Sequence, residues 1–220
     1  MPGMALSQPA MPLKTVAAPW VITAEWQAVH QSFRYLIHHH ESSLNNIRVS
    51  AFRLAELLKI IILMADRLCQ STCRYCPDPC CAKAWAWFDY KDLLFMHLCG
   101  LDIPGSQTLS APGDRCCYLG HRGCQLPRIT RPWVCTWYVC PSQAARIKRK
   151  SAVIRGTFER TVGLVKQQRL DMESAFIRMT TGGTGRYKSG ITRFESERCG
   201  GLDSQQQEAG PERRLPVNWL

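Results

Sequence analysis

Apolar residues recur every three or four positions in three stretches of the chain, which is the spacing of one face of a helix. The pattern predicts a helix that begins near Thr23, a second from about Ile47 to Cys69, and a long one from Ser142 to about Thr180. The short turn at 42–46 predicts that the first two helices form an antiparallel pair. The apolar positions are Trp26, Val29, Phe33, Leu36 and Ile37 in the first helix, Ala51, Leu54, Ala55, Leu58, Ile61, Ile62 and Ala65 in the second, and Ile147, Ile154, Phe158, Val162, Val165, Met172 and Phe176 in the third.

Shorter elements are predicted between the second helix and the third. The aromatic residues at positions 85–88 alternate in part, which is typical of one short strand. Asp89 is expected to cap a helix that runs through Leu98, and Gly100 supplies its stop. Residues 102–115 are rich in Gly, Pro and Ser and predict a loop.

The sequence predicts a mainly α protein. An N-terminal helical pair and a long C-terminal helix are expected to surround an irregular, Cys-rich metal-binding core. The predicted parts are a Pro-rich disordered arm over 1–22, a helical hairpin over 23–69, a cysteine-cluster domain over 70–141, a basic amphipathic helix over 142–180 and a disordered tail over 181–220.

The use of cysteine changes this picture from a simple helical protein to one with a candidate metal site. Ten of the twelve cysteines lie between Cys73 and Cys140. With 220 residues and 45% apolar content, the chain can build a core without disulfides. No secretory signal pattern is seen near the start, and the longest uncharged apolar run, Ile60–Ala65, is far below the ~20 residues of a bilayer span. The sequence therefore predicts a cytoplasmic protein without a transmembrane segment, in which clustered thiols bind metal.

The spacing of the cysteines points the same way. Cys73 and Cys76 are two residues apart, so a tight turn lets both sulfurs converge on one ion. Adjacent cysteines, as at 80–81 and 116–117, have diverging side chains in extended backbone. Each pair therefore offers one sulfur to an ion and one elsewhere, or spans a multinuclear centre. The number of sulfurs exceeds the four ligands of one structural zinc, which indicates two ions or a polynuclear centre such as an iron–sulfur cluster.

Two segments of the chain carry two different halves of one motif. The first half consists of Cys73, Cys76, Cys80 and Cys81, and the second of Cys117-Tyr118-Leu119, Cys124, Arg131-Pro132 and Cys135. This pattern resembles the YkgJ-type cysteine-cluster proteins, described as a zinc- or iron-chelating domain, whose opening motif is Cys-x2-Cys-x2-Cys-Cys. The chain has one extra residue in that motif. The resemblance covers about a third of the chain. Some relatives are associated with lysine methylation of flagellin, so it also implies, by analogy, a methyltransferase-associated role.

The resemblance implies a set of thiolate ligands. The implied cofactor is zinc or iron, because thiolates bind both metals, and the iron could form part of an iron–sulfur cluster. Whether Cys69, Cys116, Cys140 or His121 also ligate stays open. Arg131 is expected to lie beside the thiolates, where its guanidinium offsets negative charge and donates hydrogen bonds to sulfur. The implied ligands are Cys73, Cys76, Cys80, Cys81, Cys117, Cys124 and Cys135.

Charge adds a second class of partner. The net charge is +11, with 28 basic against 17 acidic residues, and Arg146–Arg169 contains eight basic residues and one acidic. A nucleic acid or an acidic protein could therefore bind the basic helix after Pro141. A redox or methyltransferase-associated enzyme is a further alternative. The sequence has no Gly-rich nucleotide loop after a strand and no paired-carboxylate arrangement, so no catalytic residues are predicted.

Overall fold

The computed structural model describes residues 18–73, 76, 86–111, 114–121 and 123–182. All of them lie in the first of the two units into which the chain divides, Met1–Thr184 and Gly185–Leu220. The described residues are 69% helical, which confirms the mainly α fold class for this part of the chain. Several predictions fall outside these residues, namely those for Cys80 and Cys81, for most of the N-terminal arm and for nearly all of the C-terminal tail.

The described residues form six α-helices, one two-stranded antiparallel sheet and short 3-10 turns. Strand β1 pairs with β2, with Leu119 opposite Cys124. The 3-10 turns at Glu41–Ser43 and Arg128–Thr130 precede α2 and α4 respectively. The elements are α1 Thr23–His39, α2 Asn45–Thr72, α3 Tyr90–Cys99, β1 Leu119–Gly120, β2 Gly123–Cys124, α4 Trp133–Trp137, α5 Pro141–Lys148 and α6 Ala152–Thr180.

The packing of the helices differs from the predicted N-terminal pair. Helix α2 has its largest interface with α6, and α1 packs chiefly on α3. The cause lies in the aromatic residues of α1, because Phe33 contacts Tyr90 and His97 of the α3 segment and Phe176 of α6. Consecutive helices joined by a short turn are therefore not the packing unit here. The core is built from α1, α2, α3 and α6 together.

Helix α3 begins and ends where the sequence predicts. The Asp89 side chain accepts the Asp92 backbone N–H at 2.8 Å, and the Asp92 side chain accepts the Asp89 N–H at 3.1 Å, which makes a reciprocal cap. Gly100 ends the helix with φ of 63°, a conformation that glycine adopts without a Cβ clash. Before this helix, residues 86–88 do not form the predicted strand. Their backbone is bound instead by side chains, since Phe88 N–H donates to Gln107 at 2.7 Å.

The predicted long helix after Pro141 is wrong as a single element. It is two helices, α5 and α6, separated by residues 149–151. Pro141 occupies the first turn of α5, where its missing N–H leaves no intrahelical bond unmade. Ser151 then caps α6, because its hydroxyl accepts the Ile154 N–H at 3.4 Å. The cap predicted at Ser142 therefore lies nine residues further along, at Ser151.

A buried ion network joins α3, α4 and α6. Arg169 is 4% exposed, and its guanidinium donates to Asp92 Oδ1 at 2.6 Å and to Asp89 Oδ1 and Oδ2 at 2.8 and 2.9 Å. Asp92 Oδ1 also accepts the backbone N–H of Trp133, the first residue of α4, at 3.1 Å. Burial raises the pKa of Asp92 to about 7, although the Arg169 charge works against this rise. Arg169 therefore belongs to the interior and not to the basic surface in which the sequence counted it.

Two histidines meet between α1 and α3. His30 Nδ1 lies 2.9 Å from His97 Nε2, and the rings pack against Trp26 and Phe33. Burial, with a smaller contribution from the nearby charges of His30 and Arg34, lowers the pKa of His97 to about 4. Burial also lowers the pKa of His30. The pair is therefore held without a net positive charge at neutral pH.

We expect the His97→Gln variant to be less sensitive to acid than the wild-type protein. The unfolded chain protonates His97 near pH 6.5, and the folded protein only near pH 4, so wild-type stability falls as pH drops through this window. Asp92 titrates there with the opposite sign, because its folded pKa is raised. The quantity to measure is therefore the difference in unfolding free energy between wild type and variant, by urea denaturation at each pH. The difference should rise from pH 4 to 6.5 and then level off. A flat difference would contradict this prediction.

Candidate metal centre

The C-terminal end of α2 carries three cysteines at close spacing. Cys73 is the C-cap of the helix, and its N–H donates to the Cys69 carbonyl, so the last helical turn is complete. Cys76 N–H then donates to the Cys73 carbonyl at 3.2 Å, which closes a turn between these two residues. Cys73 and Cys76 are exposed, and Cys69 is half-buried. A helical turn followed by a reverse turn thus places three thiols within eight residues of chain.

A buried glutamine from α5 lies against these thiols. Gln143 is 5% exposed, and its Nε2 lies 3.4 Å from both Cys69 Sγ and Cys73 Sγ and 3.2 Å from Thr72 Oγ1. Its Oε1 accepts the backbone N–H of Cys140 at 3.3 Å. One amide therefore links the end of α2 to the start of α5. An amide N–H that points at sulfur stabilises the thiolate form.

A second group of thiols lies between Cys116, just before β1, and Cys135 on α4. Burial, together with the neighbouring groups of Cys116 and Cys124, raises the pKa of the Cys135 thiol to about 12. Cys124 lies on β2 and Cys135 on α4, and all three are half-buried. The fold thus brings together sulfurs that are up to 19 residues apart in sequence, from Cys116 to Cys135.

The sequence predicts that Arg131 lies beside the thiolates and donates hydrogen bonds to sulfur, whereas the hydrogen bonds found go to backbone carbonyls. The Arg131 guanidinium donates to the carbonyls of Leu126 at 2.9 Å and Cys124 at 3.4 Å. Burial and the neighbouring acidic groups raise the pKa of Cys135, and the Arg131 charge acts in the opposite direction. A cation held by backbone carbonyls next to a thiol favours the thiolate.

The adjacent cysteines at 116 and 117 diverge. Cys117 is exposed, and its Sγ donates to the Gln107 carbonyl at 3.3 Å and lies 3.8 Å from Ser106 Oγ. Cys116 is the member of the pair whose charge interacts with Cys135. One sulfur of the pair thus faces the thiol group and the other faces the preceding loop. The sequence predicted such a division for each adjacent pair; it named Cys117 as a ligand and left Cys116 open.

Arg128 connects the two groups of thiols. It lies in the 3-10 turn between Cys124 and Cys135, and it forms an ion pair with Asp66 on α2. It also hydrogen-bonds Cys69. Burial alone would lower the pKa of Arg128, but this bond and the nearby Asp66 charge outweigh burial, and the Arg128 pKa is raised. The cysteine-bearing end of α2 therefore packs beside the segment that carries Cys124 and Cys135.

The structure accounts for part of the predicted ligand set. Cys73 and Cys76 lie at the end of α2, and Cys124 and Cys135 lie with Cys116 in the second group. Cys80 and Cys81 lie outside the described residues, and His121 is exposed beside β1. Within the described ranges alone, no three His, Cys, Asp or Glu side chains stand close enough together to hold a metal ion as they are placed.

Three contributors were not identified from the sequence. Gln143 and Arg128 belong to no sequence motif. They are recognised only by their contacts with Cys69, which lies 74 and 59 positions earlier in the chain. Cys116 was left open because its neighbour fits the family pattern better. Cys99 behaves as expected of a core residue, since it packs against the hydrophobic core and burial raises its pKa to about 11.

No protein-family model, curated protein or solved structure matches this chain. Among the helices that the structure describes, none combines the length and the apolar character that crossing a bilayer requires.

Proposed function

We propose that this chain is a metal-binding protein of the cysteine-cluster type, which holds zinc or iron through thiolates from both thiol groups. The ligands proposed are Cys73, Cys76, Cys124 and Cys135, with Cys80 and Cys81 from the segment outside the described residues and either Cys116 or Cys117. The observation that carries the proposal is that Cys116 and Cys124, from two other segments, lie near enough to Cys135 to act on the pKa of its thiol. The resemblance to YkgJ-type proteins points to the same chemistry.

The residues around the thiols fit a bound cation. Arg131 and Arg128 supply positive charge and Gln143 an amide N–H, and such outer partners orient and stabilise thiolates. Thiols must lose their protons to bind metal, so loading should release protons and become tighter as pH rises. The half-burial of Cys116, Cys124 and Cys135 keeps bulk water away from part of the site. A cytoplasmic, reducing compartment is part of this proposal, because there the thiols stay available.

The metal decides which role the centre serves. Zinc would be colourless and structural, whereas an iron–sulfur cluster would absorb in the visible range and carry electrons. We expect protein purified without oxygen to contain at least one zinc or iron ion per chain by elemental analysis. The visible spectrum then separates the two versions. Protein that is folded, reduced and free of both metals, and that takes up neither on addition, would contradict the proposal.

A second candidate function rests on a separate surface. Arg146, Lys148, Arg149 and Lys150 are exposed at the junction of α5 and α6, and none of the four is ion-paired within the described part of the chain. We propose that this cluster binds nucleic acid through phosphate contacts, with an acidic protein as the alternative partner.

Salt dependence tests this second function. If the four side chains contact phosphates, the logarithm of the affinity for a single-stranded oligonucleotide should fall with the logarithm of salt concentration with a slope of about −3. The double variant Lys148→Glu/Lys150→Glu should bind more weakly and with a smaller slope, while Lys59→Glu on α2 should not. Fluorescence anisotropy measures both. Absence of binding at low salt, or binding that the double variant leaves unchanged, would rule this candidate out, and competition by an acidic polypeptide alone would favour a protein partner.

A further inference from the structure

The last turn of α2 presents two sulfurs on one face of the helix. Cys69 and Cys73 are four residues apart, and side chains at this spacing lie one above the other. Gln143 Nε2 lies 3.4 Å from each sulfur, so the two sulfurs can be no further apart than twice that distance. Cys69 is therefore next to Cys73 in space as well as on the same face.

The surroundings of Cys69 supply hydrogen-bond donors to its sulfur. Arg128 hydrogen-bonds its sulfur, and Gln143 donates to it from the opposite helix. Gln143 is itself buried, and its amide oxygen is fixed by the Cys140 N–H, so the amide is held in this orientation. Cys99 packs against the hydrophobic core, and burial raises its pKa to about 11.

We infer that Cys69 is a further ligand of the metal centre, that it chelates zinc or iron together with Cys73, and that Gln143 donates to both thiolates from outside the coordination sphere. This inference rests on the proposed metal-binding function. A tetrahedral ion about 2.3 Å from each sulfur holds two sulfurs about 3.8 Å apart. Rotation of the two side chains on an intact helical turn can reach that separation. Each thiol gives its proton to solvent when it binds the ion.

Cobalt(II) substitution tests the inference directly, because the intensity of the thiolate-to-cobalt charge-transfer absorption increases with each sulfur bound. We expect Cys69→Ser to lose part of this absorption and at least about tenfold in affinity, as measured by competition with a chelator. The matched control, Cys99→Ser, should keep both. Gln143→Leu should keep the intensity but lose about 10- to 100-fold in affinity, which is the effect of removing an outer partner.

The outcomes distinguish a failure of this inference from a failure of the proposed metal-binding function. Wild-type protein that binds no cobalt, zinc or iron would contradict the proposed function itself. Wild-type binding with unchanged absorption and affinity in Cys69→Ser would overturn the inference alone. If circular dichroism shows that Cys69→Ser does not fold, alkylation of the wild-type protein decides, with mass spectrometry to map the modified residues. Bound metal should protect Cys69 and Cys73 together, and protection of Cys73 without Cys69 would also overturn the inference.

Discussion

The Arg169→Met variant is expected to lose about 3–5 kcal/mol of unfolding free energy, because the substitution leaves the buried Asp92 and the half-buried Asp89 without their main cation. Arg169 donates to Asp92 at 2.6 Å and to both oxygens of Asp89. Lys91 lies 3.5 Å from Asp89 but cannot replace a guanidinium that spans both acids. Asp92 also holds the first residue of α4, so the loss should spread to the helix that carries Cys135. Urea denaturation followed by circular dichroism measures the change.

Arg160→Met provides the control for Arg169→Met. Arg160 is exposed on the same helix, so its replacement removes a charge and adds a methionine without touching the network. Its unfolding free energy should stay within about 0.5 kcal/mol of the wild-type value. A loss below about 1 kcal/mol in Arg169→Met would show that the network contributes little to stability. It would also contradict the expectation that the network stabilises α4.

The Cys135→Ser variant is expected to bind metal more than about 100-fold more weakly than the wild-type protein, which exceeds the effect of losing an outer partner. Cys135 is the thiol at which the charges of Cys116 and Cys124 and of Arg131 act together. A serine hydroxyl has nearly the same shape but is a poor ligand for zinc or iron at neutral pH. Competition with a chromogenic chelator under reducing conditions measures the affinity.

Cys99→Ser is the matched control for Cys135→Ser as well. It also replaces a half-buried helical cysteine, but one that packs against the hydrophobic core. Its affinity for metal should equal that of the wild-type protein. If Cys135→Ser folds and keeps wild-type affinity, Cys135 is not a ligand, and the second thiol group loses its place in the proposed centre.

Features that depend on neighbouring residues in sequence were predicted well. The start of α1 at Thr23, the Asp89 cap and the Gly100 stop are all set by backbone groups within four residues. The start of α6 also depends on a nearby residue, because the Ser151 hydroxyl caps the helix. The apolar spacing continues from Ile147 to Ile154 across the break between α5 and α6, however, so the pattern alone read as one helix.

Features that depend on distant partners were not predictable from one sequence. Arg169 looks like any surface arginine until Asp89 and Asp92, some 80 positions earlier, are placed beside it. In the same way, the choice between Cys116 and Cys117 depends on which side chain faces α4, and a one-residue change in register reverses it. The clustering of cysteines along the chain is visible in the sequence, whereas the spatial neighbours of each thiol required the fold.

X-ray absorption at the edge of the bound metal tests most directly whether sulfurs from the end of α2 and from the segment before α4 surround one cation. On wild-type protein purified without oxygen, we predict a coordination shell dominated by sulfur at about 2.3 Å, which loses sulfur in both Cys73→Ser and Cys135→Ser. A shell made of nitrogen and oxygen, or one that neither substitution changes, would contradict a shared thiolate centre.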